Sequence, residues 1–192
     1  GSVSQLMPLE HRILAEFRRR GLEDMNVLVA LSGGLDSMAL LHIVHAIAPL
    51  LKLHIFVGHI HHGWVHGAQG SFRKEAWKLC RKISQSLNLS FYSNLLAISP
   101  SLRFMIEPET PLRSEGELRS FRYKCLYQFQ RQLHESLLKK TYIATAHTAN
   151  DQLETRLIQL IRGTGQWGVQ AMNFVNNENL LRPLLHTSRD EL

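Results

Sequence analysis

The chain has 192 residues, of which 44% are hydrophobic and 20% charged, a composition typical of one soluble globular domain. Its formal net charge of +6 suits a polyanionic partner such as RNA without requiring one. No apolar stretch reaches the length of a membrane span and no signal peptide opens the chain, so we expect no membrane partner and a cytoplasmic location. The two cysteines, Cys80 and Cys125, form no C-x-x-C pair, which argues against a disulfide framework.

The N-terminal residues 1–26 are expected to hold a tag remnant, Gly1-Ser2, and one helix with its apolar residues at helical spacing, which Gly21 closes. Beyond them, strand-like apolar runs alternate with amphipathic runs. We predict strands at 27–31, 53–58, 90–95, 142–146 and 180–185, helices at 38–49, 71–87 and 114–138, and an irregular loop at 97–112. This alternation predicts an α/β fold with an open, mostly parallel sheet and helices on both faces.

The first strand leads directly into Ser32-Gly-Gly-Leu-Asp-Ser37, and a helical run follows. The two glycines permit positive φ, and the start of the next helix offers unpaired N–H groups to an anion. The pattern predicts a phosphate cradle to which Ser32 and Ser37 add hydroxyl donors. Because Asp36 would repel a phosphate, we expect it to hold a cation. The structural alternative is a plain strand-turn-helix connection with Asp and Ser as helix caps.

A second polar motif, Ala144-Thr-Ala-His-Thr-Ala-Asn-Asp-Gln-Leu-Glu-Thr155, follows the strand at 142–146, and Arg162-Gly-Thr-Gly165 lies beyond it. Open α/β sheets bind ligands at the carboxyl ends of their strands, so His147 and Asp151 are expected in that crevice. The structural alternative is a capping box, in which Asn150 or Asp151 caps the helix and Glu154 reaches back.

Basic and histidine-rich patches complete the candidate site. Arg119 and Arg122 lie three residues apart on one helical face, which suits phosphoryl charge, although a solvated basic face is the alternative. Other basic clusters, including Arg73-Lys74, are interpreted as partly solvated helix ends. Residues 58–66, Gly58-His-Ile-His-His-Gly-Trp-Val-His66, could suggest zinc, but no acidic or cysteine ligand lies nearby. The last residues, Arg189-Asp-Glu-Leu192, resemble an ER-retention tail by coincidence, since no signal peptide accompanies them.

Taken in order, these motifs resemble those of one enzyme family. Ser-Gly-Gly-x-Asp-Ser is similar to the loop of the PP-loop ATP pyrophosphatases. The second motif resembles the A-H-H-x-D-D-Q-x-E-T…R-G-[ST]-G signature of tRNA(Ile)-lysidine synthetases. Residues 114–123 resemble the E-x-x-A-R-x-x-R-Y helix of the same family, and residues 59–65 resemble its H-V-[DN]-H-G-L-R segment. The departures from these patterns include His61, Val65, Leu118, Thr148 and Asn150.

The resemblance implies a PP-loop, adenine nucleotide alpha-hydrolase-like catalytic domain at 27–192, without the further C-terminal region that helps family members grip tRNA. The implied cofactors are ATP and Mg²⁺. The implied partners are an isoleucine tRNA with a CAU anticodon and free lysine, and a homodimer is possible. The implied reaction adenylates the wobble cytidine, and lysine then displaces AMP to give lysidine. Alternatives are another PP-loop adenylating enzyme, for tRNA thiolation or small-molecule amidation, and a non-enzymatic RNA-binding module. Two isolated cysteines count against thiolation.

The resemblance also implies a role for each matching residue. The implied catalytic residues are Asp36, Arg119 and Asp151, and Asp36 is the implied metal ligand. The implied ATP-binding residues are Ser32, Gly33, Gly34, Leu35, Asp36, Ser37 and His59. The implied substrate-binding residues are His147, Arg122, Glu154, Arg162 and Gly163.

Overall fold

A computed structural model of the protein describes residues 5–61, 67–94, 114–161 and 172–192. Its helices are α1 (Pro8–Arg19), α2 (Leu35–Leu51), α3 (Ala68–Ser86), α4 (Glu115–Leu137) and α5 (Ala149–Ile161). Its strands are β1 (Asn26–Ala30), β2 (His54–His59), β3 (Ser90–Ser93), β4 (Thr141–Ala144) and β5 (Leu180–Leu181), and a 3-10 turn spans Arg189–Glu191. The strands form one sheet in the order β3-β2-β1-β4-β5, and each neighbouring pair is parallel. The predicted α/β fold with a parallel sheet is confirmed.

Alternate residues of the central strand β1 point into two different hydrophobic clusters, as a sheet covered on both faces requires. Val27 and Val29 pack in the cluster that contains buried residues of α1, α2 and α3. Leu28 packs in the second cluster, which contains Leu126 and Phe129 of α4. The predicted helices on both faces are therefore present. This layering leaves the carboxyl ends of β1, β2 and β4 at one edge, where the loops that follow them meet.

The ends of α1 and α2 follow from local chemistry. Gly21 has φ +67° just beyond α1, and the next amide, Leu22 N, donates to Phe17 O at 2.9 Å, so the predicted stop is confirmed. Helix α2 continues two residues beyond Pro49 and ends at Leu51, and Lys52 after it has φ +52°. Proline inside the last turn loses one backbone hydrogen bond but does not end the helix there.

The predicted strand at 180–185 is wrong in length. Only Leu180 and Leu181 pair with β4, and residues 183–186 form a turn in which Leu184 and Leu185 are buried. Pro183 has no N–H to donate to a continuing ladder, which accounts for the early end. The predicted loop at 97–112 lies outside the described residues. Within the described ranges, no helix combines the length and apolar character needed to cross a membrane.

Candidate active site

A cavity of about 450 Å³ lies at the carboxyl ends of the central strands. Parallel α/β sheets offer ligands this position because the loops after neighbouring strands open there. Among the predicted site residues, the cavity is lined by Ser32, Gly34, Leu35, Asp36, Ser37, His59, Arg122 and His147. The loop after β1, the end of β2, the segment after β4 and a face of α4 therefore meet at one cavity.

The serine hydroxyls of the loop bond to the loop itself. Ser32 Oγ and Ser37 Oγ lie 3.0 Å apart, Ser32 N donates to Ser37 Oγ at 3.1 Å, and Gly34 N donates to Ser32 Oγ at 3.2 Å. Ser37 Oγ also donates to Gly34 O at 3.1 Å. In this state the two hydroxyls shape the turn, instead of standing free as the predicted anion donors. The amides of the first turn of α2 have no partner within the helix and remain the donors that suit a phosphate.

Gly33 is required by both its backbone angle and its neighbour. It has φ +92°, and a Cβ at this position would lie 3.3 Å from the Ala76 Cβ of α3. A side chain would therefore be strained and crowded at once. By contrast, Leu35 is 87% exposed, although it borders the cavity.

His59 is fixed by the end of β1. Its Nδ1 lies 2.7 Å from Leu31 O, and because a carbonyl can only accept, Nδ1 carries the proton. Burial lowers the pKa of His59, so the imidazole is neutral and its Nε2 is an acceptor. The buried Cys80 thiol approaches the same carbonyl, at 3.8 Å. His59 thus combines a structural bond to β1 with a place in the cavity lining.

Arg189 joins the two predicted acids, which come from different motifs. Its Nε donates to Asp36 Oδ2 at 3.3 Å and its Nη2 donates to Asp151 Oδ1 at 2.7 Å. Its backbone N–H donates to Asn150 Oδ1 at 3.2 Å. Arg189 was not predicted as a site residue, since residues 189–192 were noted only for a coincidental resemblance to an ER-retention tail. No spacing in the sequence indicates these contacts, since the partners lie far apart along the chain.

The start of α5 differs from the capping box given as the structural alternative for the second motif. Thr148, not Asn150 or Asp151, is the residue before the helix. Thr148 N and Thr148 Oγ1 donate to Asp151 Oδ2 at 2.8 and 3.1 Å, while Asp151 N lies 3.4 Å from Thr148 Oγ1. This is a reciprocal box in which the Asp151 carboxylate reaches back to the backbone of Thr148. Asp151 therefore uses one oxygen for the cap and the other for Arg189. For Glu154 the structure describes only the helix that contains it.

Three arginines create a positive potential around His147. Arg122 lines the cavity, and the guanidinium groups of Arg119 and Arg122 lie 5.4 and 5.6 Å from the ring centre of Tyr123. Burial, then the charges of Arg182 and Arg119, lower the pKa of His147 to about 4. The imidazole is therefore neutral at neutral pH, with Nδ1 2.8 Å from Thr145 Oγ1. Arg182 was not predicted as a site residue, and its place after β5 brings it here.

Substituting His147 should flatten the dependence of stability on pH. The pKa of about 4 in the folded state lies below the ordinary value of 6.5, so the unfolded chain binds more protons between these values. The contribution to stability is therefore complete above pH 6.5 and is lost as the pH falls toward 4. Urea titrations at several pH values measure the free energy of unfolding. As the pH falls, we expect this free energy to decrease by about 1 to 3 kcal/mol less in His147→Gln than in the unsubstituted chain. Equal pH slopes for His147→Gln and for the exposed control His11→Gln would contradict it.

Arg73 is a cavity residue that the sequence did not indicate. The cluster that contains it was interpreted as a partly solvated helix end, and for Arg73 this is wrong, since the residue is 8% exposed and lines the cavity. Its signal in the sequence is weak because α3 carries cationic residues on several sides. The neighbouring cavity residue Ala76 is the one that contacts Gly33.

Part of the predicted site lies outside the described residues. This applies to Arg162 and Gly163, and to His62 and Val65 of the histidine patch. His61 is 1% exposed, its N–H donates to Asn94 Oδ1, and its carbonyl accepts from Asn94 Nδ2, both at 2.8 Å. Within the parts of the chain that the structure covers, no three His, Cys, Asp or Glu residues form a metal-binding group.

Comparison with known proteins places this site in a family. A family model described as the PP-loop domain matches residues 7–192. The chain is 36% identical over 188 residues to a tRNA(Ile)-lysidine synthase of Bdellovibrio bacteriovorus, covering 96% of this chain and 51% of that protein. It is 32% identical over 170 residues to a tRNA(Ile)-lysidine synthase of Thermosipho africanus, covering 88% of this chain and 36% of that protein. The chain thus spans about half or less of the length of these relatives.

The fold also has a counterpart among solved structures. The U34-tRNA thiolase NcsA from Methanococcus maripaludis aligns with a TM-score of 0.64 and 14% identity, over 95% of this chain and 59% of that chain. At such low identity the likeness concerns the fold alone. The family match covers nearly the whole chain, and the Ser32–Ser37 loop lines the cavity at the end of β1. From this match and this geometry we conclude that the chain belongs to the PP-loop domain family.

Proposed function

We propose that this chain is the catalytic domain of an ATP-dependent ligase that joins lysine to the wobble cytidine of an isoleucine tRNA with a CAU anticodon, giving lysidine. One observation carries the proposal: Arg189 contacts both Asp36, in the phosphate loop (residues 32–37), and Asp151, in the second motif. Both motifs resemble those of lysidine synthetases, and the similar curated proteins carry that name. The proposal includes a cytoplasmic location, and a homodimer stays a prediction.

The cavity suits an adenine nucleotide with its phosphates on the loop. The first-turn amides of α2 would face the phosphates, and the neutral His59 supplies an acceptor for a hydroxyl or amino group of the nucleotide. Mg²⁺ commonly binds one or two protein carboxylates together with substrate phosphates, and it does not need a cage of protein ligands. A single carboxylate, that of Asp36, therefore fits this metal. When bound, Mg²⁺ would offset phosphate charge.

The first proposed step is attack by the 2-oxo oxygen of cytidine on the α-phosphate of ATP, with loss of pyrophosphate. Negative charge on the transferring group favours nearby fixed cations. Arg122 lines the cavity, and Arg119 lies close enough to lower the pKa of His147. We assign these two arginines to that charge. The neutral His147 can then hydrogen-bond without adding a further positive charge.

The second proposed step forms the C–N bond. The ε-amine of lysine is mostly ammonium at neutral pH and must lose a proton before it attacks the activated carbon of cytidine, from which AMP leaves. Asp151 is the assigned group for orienting the ammonium or taking its proton. Its Oδ2 is occupied by the helix cap, so Oδ1, which holds Arg189 here, is the oxygen available for this task. Glu154, Arg162 and Gly163 remain predicted substrate contacts.

Thiolation is the less favoured function. Cys80 and Cys125 are the two cysteines of the chain, and their exposures are 0% and 1%. Burial raises the pKa of each thiol to about 12, so neither is a ready thiolate. Sulfur relay through these residues would need them to reach the cavity as thiolates, which their burial opposes.

We expect this chain to bind ATP well and tRNA weakly. The nucleotide loop is complete, whereas RNA affinity grows with the number of phosphate contacts, and the basic clusters are scattered. In filter binding, affinity for isoleucine tRNA should fall by about tenfold or more between about 50 and 200 mM salt. ATP binding should change far less over the same series. Tight binding selective for isoleucine tRNA over a non-cognate tRNA, at physiological salt, would show that this chain itself carries recognition.

A further inference from the structure

Arg12 of α1 holds the segment that carries Arg189. Its Nη1 donates to Glu191 Oε1 at 3.0 Å, and its Nη2 donates to Glu191 Oε2 at 3.3 Å and to Thr187 Oγ1 at 2.9 Å. The Arg12–Glu191 contact is a bidentate arginine–carboxylate pair, which fixes the relative orientation of the two side chains as well as their distance. Arg12 does not belong to the cavity lining.

The segment held by Arg12 also supports the start of α5. Thr187 is 1% exposed, and its carbonyl accepts from Ala149 N, the first residue of α5, at 3.0 Å. Ser188 N donates to Glu191 Oε2 at 2.8 Å, which closes the 3-10 turn around Arg189. From this turn Arg189 must satisfy carboxylates on two helices at once, Asp36 on α2 and Asp151 on α5.

We propose that Arg12 is a positioning residue, which fixes the turn at residues 187–191 so that Arg189 reaches both Asp36 and Asp151. Its consequence for catalysis rests on the proposed function. A guanidinium that bridges two carboxylates loses conformational entropy. A fixed backbone lowers this entropy cost because fewer bonds must be ordered when the bridge forms. Without Arg12 the turn loses three hydrogen bonds to α1. We then expect Arg189 to contact Asp36 and Asp151 alternately, and no longer both at once.

A purely structural role makes a different prediction. The Arg12 and Glu191 side chains are 47% and 40% exposed, and exposed ion pairs contribute little to stability. The Arg19–Glu16 pair on the same helix is a matched control, with a 2.7 Å contact and no link to residues 187–191. Arg19→Ala should therefore imitate the effect of Arg12→Ala on stability but not on the site.

Hydrogen exchange of the Arg189 Nε–H, followed by NMR on the chain without substrates, tests the positioning directly. We expect exchange about fivefold faster in Arg12→Ala than in the unsubstituted chain, with an intermediate rate in Arg12→Lys and no change in Arg19→Ala. This readout needs no enzyme activity. Equal rates in Arg12→Ala and Arg19→Ala, within about twofold, would overturn the proposal.

The catalytic consequence is measured by tRNA-dependent ATP–pyrophosphate exchange at low salt. Arg12→Ala should lower kcat about fivefold and leave the KM for ATP unchanged, because the phosphate loop is untouched, and Arg12→Lys should recover part of kcat. Faster Nε–H exchange with unchanged kcat would overturn the catalytic part of the proposal. An inactive unsubstituted chain would count against the proposed function instead, and the NMR comparison would still decide whether Arg12 positions Arg189.

Discussion

Replacing Asp36 with alanine is expected to abolish pyrophosphate release from ATP, a loss of about a hundredfold or more, in a protein that stays folded. Asp36 lies in the first turn of α2 and borders the cavity, and its side chain keeps 32% exposure, so its removal opens no core void. The substitution removes the proposed Mg²⁺ ligand and a carboxylate that accepts a hydrogen bond from Arg189. The rate of pyrophosphate release at saturating ATP, with the melting temperature beside it, measures the effect.

A matched pair of amide variants separates chemistry from general charge loss. Asp36→Asn keeps the size and an acceptor for Arg189, whereas Asp24→Asn removes a carboxylate from an exposed ion pair with Lys139. Asparagine also tolerates the φ of +47° at position 24. Asp36→Asn should be nearly as inactive as the alanine variant, and Asp24→Asn should be fully active. Pyrophosphate release near the unsubstituted rate in a folded Asp36→Ala protein would refute the assigned role.

Asp151→Asn is expected to cripple lysine transfer while ATP binding changes little. An asparagine oxygen can still accept from Thr148 N–H in the cap, but its amide can neither take a proton nor balance an ammonium. It also replaces the ion pair with Arg189, now 2.7 Å long, by a weaker contact. We expect a loss of about a hundredfold in lysidine formation, measured with labelled lysine, and little change in the KM for ATP.

Thr148→Ala is the control for the cap. It deletes the hydroxyl that shares Asp151 Oδ2 and leaves the carboxylate in place. The expected result is a loss of about 1 kcal/mol in the free energy of unfolding, with most activity kept. If Asp151→Asn retained full activity and lost only a comparable stability, Asp151 would be a helix cap and not a catalytic residue.

The sequence was sufficient for the fold and the phosphate loop because both depend on local pattern. Apolar runs of strand length alternate with amphipathic runs, and this decides the layers. Gly33 is likewise predictable, since a turn that needs positive φ leaves few residue types to choose from. The end of β5 was misjudged because a buried turn, in which Leu184 and Leu185 are inside, has the same apolar pattern as a strand.

The other differences depend on contacts between distant parts of the chain. Arg189 becomes a site residue only because the turn at 187–191 folds back onto α1 and α5. Arg73 becomes a cavity residue because of the way α3 packs on the phosphate loop through Ala76. Composition and spacing carry none of these facts.

Mass analysis of the wobble nucleoside tests the proposed function most directly. The chain would be incubated with an isoleucine tRNA bearing a CAU anticodon, ATP, Mg²⁺ and isotope-labelled lysine, at high tRNA concentration and low salt so that weak tRNA binding does not limit the reaction. Parallel reactions would omit ATP or contain the Asp36→Ala variant. The predicted result is a lysine-bearing cytidine at the wobble position, formed only with ATP and the unsubstituted chain. An unmodified cytidine under these conditions, or a lysine adduct that forms without ATP, would contradict it.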